Sequence, residues 1–156
     1  MTDQLPHDKA LEKARKYCAA QERSEKQVQT RLQEWGVEHK SIPAILGSLR
    51  SEGYLSNQRF ARLYARSKFN QLGWGKIKIA RMMTSLGLPS DLIASAMEEL
   101  DEAGYHDKIE ALLRKKLATL KADIPPMQRK QKLLMFGLSR GFEKSQVFDA
   151  LRKLDL

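Results

Sequence analysis

Cysteine is almost absent from this chain. Cys18 is the single one in 156 residues, which excludes an intramolecular disulfide and any cysteine-based zinc site. Histidine is scarce as well: His7, His39 and His106 are scattered without metal-ligand spacing, so neither a metal nor another cofactor is expected. Aromatics are 7% of the residues, which makes any core mostly aliphatic. No apolar run approaches the ~20 residues of a membrane span. The polar opening from Met1 to Lys9 lacks the apolar centre of a signal peptide. The expectation is a soluble, cytoplasmic protein with no membrane partner. A nucleotide-binding loop is missing too. Gly73-Trp74-Gly75-Lys76 is too short for a P-loop and has no Ser or Thr after the lysine. Cys18 lies in a helical stretch with no evident base beside it and reads as a buried structural thiol. The Glu98-Glu99 pair sits on a surface-type helix. With these routes to catalysis missing, the chain reads as a binding protein and not an enzyme.

What is present is a helical rhythm. No strand-like alternation rich in Val, Ile and Thr occurs, and apolar residues recur at three and four, the period of an amphipathic helix. Three glycines set a register: Gly36, Gly87 and Gly141, spaced by 51 and 54 residues. The residue after each is apolar (Val37, Leu88, Phe142). Six positions on stand Ile42, Ile93 and Val147; nine on, Ile45, Ala96 and Ala150; ten on, Leu46, Met97 and Leu151; thirteen on, Leu49, Leu100 and Leu154. Eight positions before each glycine stand Val28, Ile79 and Leu133. The match continues to Gly53-Tyr54 and Gly104-Tyr105, each seventeen after its register glycine.

Each register glycine is a candidate helix C-terminus, where glycine takes the left-handed conformation at little cost. The next apolar residue packs back over the turn, and a linker leads into another helix. Helices of about 14 residues cannot bury their stripes alone, so the units must close into small bundles. The expected fold is all-α: three tandem three-helix, helix-turn-helix-like modules over residues 1–53, 54–104 and 105–156, in an elongated repeat array. Helices are expected near 8–21, 24–35, 41–52, 56–71, 75–86, 90–103, 105–121, 126–139 and 143–154. Ser90-Asp91, and Ser41 with Pro43, read as helix starts.

The formal charge is +9. By module it divides into +1, +2 and +6. An excess of this size favours a polyanionic or acidic partner, although soluble proteins without one also carry it. Between Glu52 and Asp91 there is no acidic residue, and the window holds Arg59, Arg62, Arg66, Lys68, Lys76, Lys78 and Arg81. Arg59, Arg62 and Arg66 are three and four apart and share a helix face, at some cost in helix stability. Lys76 and Lys78 open the next helix, where its dipole disfavours cations. A solvated face and a partner contact both account for the cluster. A second basic zone comprises Arg114, Lys115, Lys116, Arg129, Lys130 and Lys132. The third helix of the middle module carries Asp91, Glu98, Glu99, Asp101 and Glu102, which argues against its lying in a DNA groove. Contact with nucleic acid should come from the first two helices and be directed to the backbone. Tyr54, Phe60, Tyr64 and Phe69 read as core and inter-module packing before base-stacking platforms, and Trp35 as packed. Trp74, between two glycines in a basic turn, is either a capping contact or an exposed anchor.

The stretch Gly53-Tyr54-Leu55-Ser56-Asn57-Gln58-Arg59-Phe60-Ala61-Arg62-Leu63-Tyr64-Ala65-Arg66 resembles the RecX family of bacterial RecA recombinase regulators. So do the Arg23-Ser24-Glu25 helix opening, the basic turn Gly75-Lys76-Ile77-Lys78-Ile79 and the helix end Leu86-Gly87-Leu88. The chain departs from the family pattern at Gln71-Leu72-Gly73-Trp74-Gly75, where a basic residue and Gly-Pro are usual, and at Ser56-Asn57, where acidic residues are common. The resemblance implies a regulator that binds along the RecA–DNA filament and restrains strand exchange, ATP turnover or filament growth without chemistry of its own. Its expected partners are the RecA filament and single- or double-stranded DNA, with the protein acting as a monomer. The rival readings are a non-specific DNA- or RNA-binding helical protein and a helical scaffold for other proteins.

Overall fold

The computed structural model describes residues 5–102 and 104–156. The opening through Gln4 and the expected helix end at Ala103 lie outside the described residues, as does the side chain of Glu102. Among the described residues the chain forms nine α-helices. These are α1 (His7–Ala20), α2 (Glu25–Glu34), α3 (Ile42–Ser51), α4 (Asn57–Leu72), α5 (Lys76–Ser85), α6 (Ser90–Glu102), α7 (Tyr105–Leu117), α8 (Pro126–Ser139) and α9 (Lys144–Arg152). Every expected helix is present. Two ends differ. Ser41 makes no side-chain cap, and a 3-10 turn over His39–Ser41 leads into α3 instead. The helix expected to reach 121 stops at Leu117, where the Thr119 hydroxyl bonds the Lys116 carbonyl at 2.6 Å and the chain tightens into turns.

The register glycines terminate helices by one repeated motif. Gly36, Gly87 and Gly141 have φ of 77°, 80° and 91°. In each copy the glycine N–H bonds a carbonyl three residues back, and the next N–H bonds one five residues back. These are Val37 to Leu32 at 3.0 Å, Leu88 to Met83 at 3.2 Å and Phe142 to Gly137 at 3.2 Å. This is the Schellman closure, which satisfies the last carbonyls of a helix. The pair bridging the closure is Leu32/Val37, Met83/Leu88 and Gly137/Phe142. In the third copy the bulk has moved from the helix to the residue after the turn. There a Cβ on Gly137 would come within 2.9 Å of Val147, so glycine lets α9 lie close against α8.

The chain divides into two compact units, and the boundary does not follow the repeat. One unit comprises residues 1–63 and 83–92, the other 64–82 and 93–156, so the middle segment contributes to both. In the first unit α1, α2 and α3 pack pairwise. Ala10, Ala14, Cys18, Val28, Leu32, Ile42, Ile45 and Leu49 form its core with Leu55. Cys18 is buried among them, and burial pushes its thiol pKa up, as expected of a structural cysteine. The start of α2 carries a capping box: the Gln27 N–H bonds Ser24 Oγ at 3.1 Å, and the Ser24 N–H bonds Gln27 Oε1 at 3.0 Å. The Glu25 N–H donates to Asn57 Oδ1 at 2.9 Å, and Lys26 Nζ donates to the Ser85 carbonyl at 3.0 Å.

In the second unit α7, α8 and α9 pack pairwise. Tyr105 is wholly buried at its centre, 0% exposed, with Phe69 and Phe142 each 5.6 Å from its ring centroid. Tyr54, which occupies the equivalent place after its glycine, is 36% exposed and is not core. The cause is the helix start. Tyr105 begins α7 directly after Gly104, whereas α4 begins only at Asn57, and Leu55 is buried in place of Tyr54. Phe60 and Phe69 are buried as expected, and Tyr64 is half-buried. Trp35 packs edge-on to Tyr17 at 5.9 Å.

Candidate partner-binding surface

The first turn of α5 holds the basic Gly75-Lys76-Ile77-Lys78 segment. A helix start normally offers unsatisfied N–H groups to an anion. Here three of them are occupied. The Gly75 N–H bonds the Arg140 carbonyl at 2.7 Å, the Lys76 N–H bonds Tyr105 Oη at 3.0 Å, and the Ile77 N–H bonds the Gly141 carbonyl at 2.9 Å. Tyr105 Oη in turn donates to Glu143 Oε1 at 2.5 Å. Burial, followed by the hydrogen bond to Glu143, pushes the Tyr105 pKa far up, so the hydroxyl stays protonated and keeps donating. The approach is close enough that a Cβ on Gly75 would lie 2.3 Å from the Gly141 carbonyl carbon. The backbone of this turn therefore serves the fold.

The expected site residues separate by what their charged heads meet. Arg59 donates through Nε to Glu22 Oε1 at 2.6 Å and through a terminal nitrogen to the Gly53 carbonyl at 3.0 Å. Arg66 pairs with Glu99 at 3.3 Å. Lys76 pairs with Asp101 and lies 4.6 Å from the Tyr105 ring centroid. These three cations are paired with carboxylates of the chain itself, Arg59 and Arg66 at the surface, and two of them meet carboxylates of α6. Lys68 and Lys78 are placed differently. They flank the half-buried Trp74 indole, their ammonium groups 5.2 and 4.5 Å from its ring, and Lys68 is also 5.2 Å from the Tyr64 ring. Such cation–π contacts fix two long side chains that would otherwise range freely. Arg62 and Arg81 are exposed on α4 and α5.

In the second zone Arg114 bonds Glu110 at 2.7 Å and the Lys153 carbonyl at 3.2 Å, and Arg129 bonds the Ala122 carbonyl. Lys115, Lys130 and Lys132 are exposed, and Lys116 stands 5.4 Å over the Phe136 ring.

Two features escaped the sequence reading. Leu72 and Ile77, exposed at 46% and 45%, flank the Trp74 turn and give the lysine pair an apolar neighbourhood. Both fall outside the repeated core positions, which was the available signal. On α8, Met127 and Met135 are exposed.

The fold defines a class: tandem three-helix domains, here with two lysines beside an indole in the middle segment. Residues 10–49, 56–97 and 104–151 match family models described as the first, second and third three-helix domains of RecX. The chain belongs to the RecX family. The "Regulatory protein RecX" of Oceanobacillus iheyensis is 27% identical over 133 residues, covering 85% of this chain and 48% of its own length. That of Mycobacterium sp. strain KMS is 25% identical over 147 residues, covering 90% and 80%. The chain thus spans about half the length of some curated relatives: 48% of the Oceanobacillus protein and 53% of one from Streptococcus agalactiae serotype V. A crystal structure of RecX from Lactobacillus salivarius superposes with a TM-score of 0.88 at 20% identity, covering 96% of each chain, and so shares the fold. No helix among the described residues is long and apolar enough to cross a membrane.

Proposed function

We propose that this chain is a non-catalytic, monomeric regulator that binds the RecA–DNA filament and restrains its ATP hydrolysis and strand exchange. The observation that carries the reading is the match of all three RecX domains, in order, across residues 10–151. The lysine-flanked Trp74 turn supports it. Lys68 and Lys78 offer paired cations to backbone phosphates, while Leu72 and Ile77 offer apolar contact to a protein surface. Contact of this kind positions the protein without reading sequence. Arg59, Arg66 and Lys76 act in this scheme by holding the surface together.

The test is a titration of RecA ATP hydrolysis on single-stranded DNA. Inhibition is expected far below the concentration that saturates the DNA; inhibition only on coating the DNA would reduce the protein to a competitor for it. The variant Lys68→Gln/Lys78→Gln/Arg81→Gln should retain its helicity and weaken filament binding by about tenfold or more, that is about 1.4 kcal/mol or more. The salt dependence of its DNA binding should flatten by about one unit of slope per phosphate contact removed. Unchanged binding by this variant would place the interface elsewhere.

A further inference from the structure

The end of α7 at Lys116, the turn after it and α8 border an open groove of about 810 Å³ that the binding scheme does not use. Leu120, Met135 and Phe136 line it together with Lys116, Lys132 and the neutral polar Gln128, Gln131 and Ser139. A smaller hollow of about 190 Å³ shares Lys116 and Phe136 with it and extends the trough along α7. Lys132, Met135 and Phe136 lie three and four apart on α8 and so project on one side of the helix.

Two properties define what fits. First, the larger part of the groove's surface is apolar, although Gln128, Gln131 and Ser139 also line it, and Met135 is 60% exposed there. A thioether left in solvent on a helix face adapts its shape to an incoming apolar surface. Second, the charge is of one sign. No acidic residue lines the groove, and α8 contains none in its length while carrying Arg129, Lys130 and Lys132. A nucleic-acid strand would gain from the lysines, but Lys116 and Arg140 already stand 5.4 and 5.3 Å from the Phe136 ring centroid, and Leu120 and Met135 offer a base no ring to stack on. A protein helix with apolar side chains on one face and carboxylates along its edges matches both, Leu120, Met135 and Phe136 taking the anchors and the lysines the carboxylates.

We propose that this groove docks an acidic amphipathic helix of a partner protein. The site shares no residue with the Trp74 turn, so it stands or falls apart from the filament reading.

The test uses the full chain and a fluorescein-labelled peptide built from Glu, Ala and Leu, with Leu at alternating spacings of three and four. Controls are the same peptide with Lys for Glu, and labelled oligo-dT. By anisotropy the acidic peptide should bind saturably and at least about tenfold tighter than the basic one. Lys132→Glu and Met135→Glu should each weaken it about tenfold at unchanged helicity, whereas Lys68→Gln/Lys78→Gln should not. A second readout keeps the unmodified chain. Under peroxide, bound peptide should protect Met135 from oxidation but not Met127, which is 83% exposed and does not line the groove. Equal binding of acidic and basic peptides, indifference to Met135→Glu, or equal oxidation of both methionines with peptide bound would overturn the proposal. Protection of Met135 by oligo-dT and not by the peptide would make the groove a nucleic-acid surface.

Discussion

The second helix of the first module and the second helix of the middle module begin in the same register and are closed by different means. At the start of α2 the work is done by side chains near the surface: the Ser24–Gln27 box, the Asn57 amide on the Glu25 N–H, and Lys26 reaching the Ser85 carbonyl. Glu25 also pairs with Arg50 there. At the start of α5 the bonds to Gly75 and Ile77 are backbone to backbone, and the one to Lys76 comes from a buried phenol. Each site also meets the register glycine of the following module. A Cβ on Gly87 would lie 2.8 Å from Lys26 Cδ, the far part of a flexible side chain, whereas one on Gly141 would lie 2.3 Å from Lys78 Cβ and 2.7 Å from its backbone nitrogen. One repeat has thus produced an adaptable junction and a fixed one. The difference comes from whether the element that arrives brings a polar side chain or an aromatic ring with a hydroxyl at its tip.

The contrast can be broken by substitution. Gly75→Ala should have the largest effect, because its methyl would meet backbone that cannot swing aside. A loss of about 3 kcal/mol in urea unfolding is expected from overpacking alone. Tyr105→Phe keeps the ring and removes the hydroxyl, leaving the Lys76 N–H and the Glu143 carboxylate without it; about 2 kcal/mol should be lost. This effect has a pH signature. The folded pKa of Tyr105 lies above that of the unfolded chain, so its contribution is complete below about pH 10, the ordinary tyrosine value, and is lost as pH rises toward the folded value. The stability gap between the parent and Tyr105→Phe should therefore be flat from neutral pH to about pH 10 and close above it. Asn57→Ala should cost least, about 1 kcal/mol or less, because its amide caps a part-exposed N–H that water can also reach. Equal losses for Asn57→Ala and Gly75→Ala would erase the distinction between the junctions.

Much of the fold was legible because it is periodic. The glycine register placed the second and third helix of each module, and most of the aligned positions are buried, with Ile93, Leu46 and Met97 only partly so. The exceptions have local causes. Tyr54 and Tyr105 are the same letters after the same kind of turn, but a helix start differing by a few residues sends one to the surface and the other to the centre of a unit. The candidate surface was less legible. Composition reveals that seven cations lie between Glu52 and Asp91 without a carboxylate, yet it cannot show that Arg59, Arg66 and Lys76 find carboxylates from outside that window. Pairing depends on contacts distant in sequence, and so does the occupied helix start at Gly75.

The division of the middle segment between two units has a practical consequence for dissecting the molecule. The boundaries between repeats look like natural places to cut, but each severs a helix from the groups that complete it. A fragment ending at residue 53 loses Asn57 from the start of α2, and one ending at 104 strips α5 of Tyr105 and of the Arg140 and Gly141 carbonyls together. A fragment that keeps the bonds of either helix start is therefore longer than a repeat, and the two fragments overlap. In any deletion series a missing activity must be weighed against an unfinished helix some thirty or more residues away.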